Sequence, residues 1–396
     1  MKKYLLIVAF CCLSVFRTSA ASIMDELSAQ GFEDIRVSIA DSVLYASVEP
    51  TAYRGTFRGA AVALLALGSH YPDMNAVELV ITEYQLPQVA VHARRCGAGW
   101  QVDVDYAITP IMKRLEGRPM HNNSAWRFDL TAYPMVSLDN HRFDVLYEYT
   151  VSIAPTIEGT LWTGNRIILQ PVFPIASNVW KSKPEGYIHV GVAAIQQDVF
   201  VSDRLRAQLS GGMFLGSLMG FNASLTYRAG SALSFGLKAA LLGEAYVDTD
   251  KYYFGSLDKV SVLGSASYYH APTQLEAGIT GGRFVFGDYG ARLDLTRHYS
   301  DYSIGIFGIL TGGEYNAGFH FAIPFGGKCQ KRRGSFRVML PEFYDMEYNM
   351  ESYYEYADQK MGCQVETRPD VNHSAHYWQA SYVEAWLRKY LQANKQ

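Results

Sequence analysis

The sequence predicts a mainly β protein: an antiparallel transmembrane β-barrel of about 12 strands, preceded by a small periplasmic α+β domain and followed by a helical tail. Three observations carry the prediction. The first is an alternation of apolar and polar residues that recurs from 124 to 326. In Phe143, Val145, Tyr147, Tyr149, Val151 and Ile153 every second residue is apolar or aromatic, with Asp144, Glu148, Thr150 and Ser152 between them. A strand sends successive side chains to opposite faces, so one face is greasy and the other wet. The same pattern sets Trp126, Phe128 and Leu130 against Arg127, Asp129 and Thr131. It sets Phe221, Ala223, Leu225 and Tyr227 against Asn222, Ser224, Thr226 and Arg228, and Leu293 and Leu295 against Arg292, Asp294 and Thr296. The second observation is the 28 Tyr residues, which suit the aromatic girdles at both rims of a membrane barrel. The third is an export leader with no later apolar run of roughly 18 residues, so any crossing is by strands. Strands of roughly 10 residues, apolar outward and polar inward, are the barrel signature. Lipid demands that such a sheet close, because an open edge leaves backbone groups unpaired in hydrocarbon.

The leader occupies 1–20. Met1-Lys2-Lys3 is a positive start, an apolar stretch runs from Tyr4 to Phe16, and Thr18-Ser19-Ala20 supplies the small residues of a cleavage site. Cys11 and Cys12 read as small hydrophobes within it. A net charge of −3 gives no electrostatic footprint for nucleic acid. After cleavage Cys96, Cys329 and Cys363 remain; Cys329 and Cys363 share the tail and are the favoured disulfide pair.

From 21 to 96 the chain reads as the α+β domain. Ser22 caps a short helix stopped by Gly31, and Ile35, Val37 and Ile39 alternate, as do Val43 and Tyr45. Ala60, Val62, Ala63, Leu64 and Leu67 fall at helical spacing, and two further strands flank Pro87. The stretch 97–123 reads as a linker holding one strand, broken at Gly117-Arg118-Pro119. The barrel spans 124–326. Its candidate strands lie near 124–137, 142–154, 157–173, 187–197, 203–215, 219–229, 232–246, 258–270, 273–286, 289–299, 302–311 and 315–325. The polar stretches 178–186 and 247–257 suit outer loops, and an even strand count leaves both flanks in the periplasm. The tail, 327–396, opens with a basic run of Lys328, Lys331, Arg332 and Arg333. An acidic, Tyr-rich segment follows, then an amphipathic helix carrying Val383, Trp386, Leu387, Tyr390 and Leu391.

No catalytic constellation emerges, so the expectation is a protein that is not an enzyme and needs no cofactor or metal. Gly216-Ser217-Leu218-Met219-Gly220 has its serine in the wrong place for a nucleophile elbow. His373 and His376 are spaced as on one helix face but lack a Cys or Glu to complete a metal set. The polar strand faces are more informative. Arg127, Asp129, Asp144, Glu148, Arg204, Arg206, Arg228, Lys238, Glu276, Arg292 and Asp294 are expected to face the lumen. There they either pair with one another and fill it, or present guanidinium groups that grip carboxylates bidentately.

Two passages resemble known proteins. Asn316-Ala-Gly318-Phe319-His320-Phe321-Ala322-Ile323 resembles the last-strand signal read by the barrel assembly machinery, with Asn316, Gly318, Phe321 and Ile323 at its key positions. The run from Gly281-Gly-Arg-Phe-Val-Phe-Gly-Asp-Tyr-Gly to Arg297-His-Tyr299, continuing to Ile323-Pro-Phe325, is similar to the YjbH family. Arg337-Val-Met-Leu-Pro341 and Tyr53-Arg54 add fainter likeness. The resemblance implies an outer-membrane β-barrel protein encoded with exopolysaccharide and capsule genes. Its implied partners are outer-membrane lipid and polysaccharide-export proteins, and it has no catalytic motif to transfer. The expected function is therefore to assist export or assembly of a surface polysaccharide, as conduit or scaffold. A general porin and, further off, a membrane-embedded hydrolase are the alternatives.

Overall fold

The computed structural model describes residues 22–97, 99–139, 144–179, 184–349, 361–367 and 378–394. The expected leader, His373 and His376 lie outside the described residues. The chain is mainly β, in two sheets.

The smaller sheet runs in chain order through β1 (Glu33–Ala40), β2 (Val43–Glu49), β3 (Ala76–Glu83), β4 (Leu86–Cys96) and β5 (Gly99–Asp105). Helix α1 (Ile23–Gln30) begins at Ser22, whose hydroxyl accepts from the Asp25 N–H at 3.3 Å, and stops at the left-handed Gly31. Helix α2 (Thr56–His70) is the crossover that lets β2 and β3 pair in parallel. Leu64 and Leu67 bury beneath it against Leu79, Val91 and Val102. The stretch expected as a linker is instead structural. β5 pairs with β4, and α3 (Ile108–Leu115) lays Ile108, Ile111 and Leu115 on Val80 and Ala90 of the opposite sheet face. The three apolar residues stand at i, i+3 and i+7, a stripe long enough for two turns. The Gly-Arg-Pro break lies beyond its end.

The larger sheet holds twelve antiparallel strands in sequence order. They are β6 (Arg127–Asp139), β7 (Glu148–Thr160), β8 (Asn165–Ser177), β9 (His189–Phe200), β10 (Leu205–Phe214), β11 (Leu218–Arg228), β12 (Leu233–Val247), β14 (Lys259–His270), β15 (Leu275–Arg283), β16 (Tyr289–His298), β17 (Ser303–Thr311) and β18 (Glu314–Pro324). β13 (Tyr252–Phe254) folds back on β12 as the loop after it. The Phe143–Ile153 run divides: the strand begins at Glu148, and Asp144 lies in an exposed bend before it.

The tail was expected to stay outside the sheet, and it does not. β19 (Phe336–Met339) pairs in parallel with β6, and β20 (Phe343–Asn349) pairs antiparallel with β18. Only 340–342 separate them. One continuous piece of chain therefore pairs with part of both outer strands of the meander, residues 128–131 and 318–324. The signal that marks it is an alternation of Tyr344, Met346 and Tyr348 with Asp345, Glu347 and Asn349, overshadowed by the acidic composition of its surroundings.

The large sheet is polar where it is buried and apolar where it is exposed. Along β7, Glu148, Thr150, Ser152 and Thr156 are buried, while Tyr149, Ile153 and Ile157 are exposed. The inner face carries hydrogen bonds such as Gln170 Nε2 to Thr156 Oγ1 at 2.9 Å. A water-soluble sheet buries the opposite face.

On the small sheet His92 stands between two carboxylates. Its Nε2 lies 2.9 Å from Asp105 Oδ1, and its Nδ1 contacts Glu78. The bond to Asp105, then that to Glu78, raises the imidazole to about 10. The folded value lies above the ordinary one of about 6.5. The pairing therefore stabilises fully below about pH 6.5 and its contribution is lost as pH rises through 10. Thermal melts of the purified protein between pH 6.5 and 10 are expected to show a decline that His92→Gln flattens, by a modest amount because the site is half exposed.

Candidate functional site

The small domain sits against one rim of the large sheet, here the proximal rim, and touches all five of its hairpin turns. Gly164 N donates to Tyr84 O at 2.8 Å in the β7–β8 turn. Asp203 in the β9–β10 turn accepts from Thr109 N at 3.0 Å. Ser381 N donates to Ser231 O at 2.9 Å in the β11–β12 turn. Ala271 in the β14–β15 turn packs on the small-domain core. Asp301 in the β16–β17 turn pairs with Arg58 at 2.6 Å and Arg54 at 3.2 Å. Burial alone would raise the Asp301 carboxyl, but Arg58 and then Arg54 hold it below its usual range. The carboxyl-terminal helix α4 (Ala380–Ala393) completes the domain, with Val383, Leu387 and Leu391 in the same core as Leu64 and Leu67.

Between this domain and the first strands lies a chamber of about 180 Å³, lined among others by Glu33, Glu49, Arg127, Asp129, Arg166 and Arg337. Its charges are organised around two carboxylates. Glu33 binds Arg127 at 2.7 Å and Arg332 at 3.0 Å. Asp129 binds Arg332 at 3.0 Å and Arg337 at 2.6 Å. On the neighbouring strand Glu158, directly across from Asp129, binds Arg166 at 2.7 Å. Glu49 accepts from Tyr84 N at 2.9 Å and Gln85 N at 2.8 Å. Its burial, and then Asp34 beside it, push its carboxyl well above the usual range. Buried ions tolerate this density only because each finds a partner.

Nine of the eleven expected lumen residues fall into three groups. Arg127 and Asp129 belong to the chamber. Arg206 and Arg228 point from strand ends into the small domain: Arg206 Nη2 donates to Pro87 O at 2.9 Å and Arg228 Nη1 to Gln88 O at 2.6 Å. The third group lies along the inner face. Arg292 binds Asp294 and Glu347, each at 2.8 Å. Glu276 accepts from Ser267 Oγ at 2.7 Å and lies 2.8 Å from His298 Nε2. Glu148 is buried, and Lys238 Nζ donates to Val365 O at 3.3 Å. Two residues are corrected. Asp144 is in the bend, and Arg204 is exposed in the β9–β10 turn, where its Nη1 donates to Ala229 O at 3.1 Å. Both lie just before their strands begin, so neither takes part in the alternation. The inner-face arginine of the third group is thus paired rather than presented.

Within the assembly signal, Asn316 is buried on the inner face, while Phe321 and Ile323 alternate to the outer one. Gly318 has a packing reason: an added Cβ would stand 2.1 Å from Tyr348 O in the tail strand and 2.4 Å from the Phe307 ring. Cys329 and Cys363 are not bonded to each other. Cys329 bridges to Tyr53 beside the small domain, whereas Cys363 O accepts from Val285 N at 3.2 Å next to the opposite rim. The length of a strand divides them, beyond disulfide reach. Sequence reasoning missed Glu33, Glu158, Arg166, Asp301 and Glu347 as ionic partners. Only the basic run around Arg332 offered a signal, and it reads more readily as a solvated linker.

Asp129→Ala leaves Arg332 and Arg337 in the junction without their shared carboxylate. Removing one partner of a buried pair costs about 3–5 kcal/mol. Trypsin cleavage within Lys331–Arg333 is expected to accelerate in the folded variant, and Asp129→Glu to recover much of the protection.

The chain matches no family model, no curated protein and no solved structure.

Proposed function

We propose that this is an outer-membrane β-barrel protein that assists export or assembly of a surface polysaccharide, acting as a scaffold with its small domain in the periplasm. The observation that carries the membrane reading is the inverted polarity of the large sheet. Leu209, Phe221, Leu237, Leu293, Ile306 and Leu310, on five strands, are each 51% to 64% exposed. Apolar exposure on that scale marks a surface made for a partner or a membrane. Exposed Tyr252, Tyr289 and Tyr315 lie toward the distal rim, and Tyr227, Tyr268 and Tyr302 toward the proximal one. Two aromatic belts are what membrane–water interfaces select. Among the described residues no helix is long and apolar enough to cross a membrane, and strands are the other way across.

The polysaccharide role rests on the resemblance of the 281–325 region to the YjbH family. The scaffold form, rather than a general porin, is supported by the small domain over the proximal rim and by the paired charges inside. The same pairing argues against free arginines gripping an acidic glycan.

Fractionation tests the membrane reading: the mature chain is expected in the outer membrane with heat-modifiable migration on gels, and recovery as a soluble periplasmic protein would overturn it. Ile306→Arg, at mid-strand on the outer face, is expected to lower the assembled amount, since Arg at the bilayer midplane costs about 2–4 kcal/mol, while Ile306→Leu leaves it unchanged. Cell-surface glycan is expected to fall in a strain lacking the gene; an unchanged amount would remove the export role.

A further inference from the structure

The tail does more than edge the sheet. β20 climbs beside β18 from Phe343, opposite Pro324 at the proximal rim, to Asn349, opposite Gly318. The next described residues, 361–367, lie against the inner face. Gly362 N donates to Asp288 Oδ2 at 2.8 Å, in the β15–β16 turn of the distal rim. Lower down, Val365 O accepts from Lys238. Lower again, Thr367 Oγ1 is 3.4 Å from Gln196 Oε1, within four residues of the proximal end of β9. The chain then reappears as α4, in the core of the small domain. It therefore goes up as a strand and comes down inside.

The inner wall is built to receive it. That wall is mostly polar, but at one level Phe214, Leu218, Ala240, Leu242 and Val285 are buried together, and Val365 is the residue that closes the cluster. Facing water, this patch would be an apolar break in a mostly polar surface. The fit is close: Gly362 is left-handed, at φ +76, and a Cβ there would stand 2.3 Å from Ile309 Cδ1. Met361 packs on a second cluster formed by Leu263, Phe284 and Ile309.

We infer that residues 361–367 are a resident plug: a ligand supplied by the chain itself, docked on the apolar patch of the inner wall and sealing the interior to small solutes. The inference rests on the membrane-barrel reading, and the tests separate the two. Soluble recovery of the protein fails that reading; membrane recovery leaves the plug to be judged alone. In a Cys96→Ser, Cys329→Ser background, Val285→Cys places a thiol beside the native Cys363. Mild oxidation of the assembled protein is expected to give an intramolecular disulfide, seen as a reducible shift on gels. Failure of that bond to form in membrane-assembled protein would overturn the docking. Proteoliposomes carrying the native chain are expected to swell slowly in a small sugar. Val365→Asp, which puts a charge into the apolar cluster, should raise the swelling rate at least several-fold. Val365→Ile keeps the fold and the contact and should not. Rapid swelling by the native chain, or equal rates for native and Val365→Asp proteins of equal assembled amount, would overturn the seal.

Discussion

Backbone pairing at the two outer strands of the meander is the constraint on which the rest depends. A twelve-strand meander leaves one side of β6 and one side of β18 without sheet neighbours, and unpaired backbone in an apolar setting is costly. Here the segment 336–349 supplies partners to both, parallel on one side and antiparallel on the other. That combination is the only one available to a single strand lying between first and last strands of opposite direction. It draws the tail into the wall, which in turn brings Arg332 and Arg337 to Asp129 and Glu347 to Arg292. The charged junction and the paired interior both follow from an edge that needed covering.

The wall was legible and its filling was not. Alternation with period two is a local property, so all twelve meander strands could be placed from the sequence, with the largest shift at β6 to β8. There Val145 and Tyr147 keep the apolar rhythm outside the strand, and nothing local distinguishes a strand from a loop that mimics one. The tail strands are short, and β19 pairs with a strand some 200 residues earlier; pairing over such distances leaves no local trace beyond the alternation itself. The candidate site divides the same way. The polar faces of Arg292, Asp294 and Glu276 could be read from spacing. Their partners could not: Glu347 comes from the tail strand, and His298 meets Glu276 as a diagonal neighbour on the adjacent strand, through a register that spacing alone does not give.

The small domain shows how ions are managed at a contact between units. Arg54 and Arg58 lie on or beside α2, both largely buried, and converge on Asp301 from a turn of the other sheet. Such pairs contribute little when both partners can instead stay solvated, but they punish any arrangement that leaves one partner alone. Repeated at Glu33, Asp129 and Asp301, they fix the orientation of the domain more than they strengthen it.

The placement of α4 sets a timetable. Val383 and Leu387 are fully buried in the core of a domain whose first helix begins at Ile23. That domain is among the first parts of the chain to be synthesised, and among the last to be complete. Until the residues of α4 arrive, the groove over α2 and β5 stands open with its apolar floor uncovered. The interval is one in which a holding chaperone has both a reason and a place to bind. A chain shortened by its last helix would carry that exposed groove permanently.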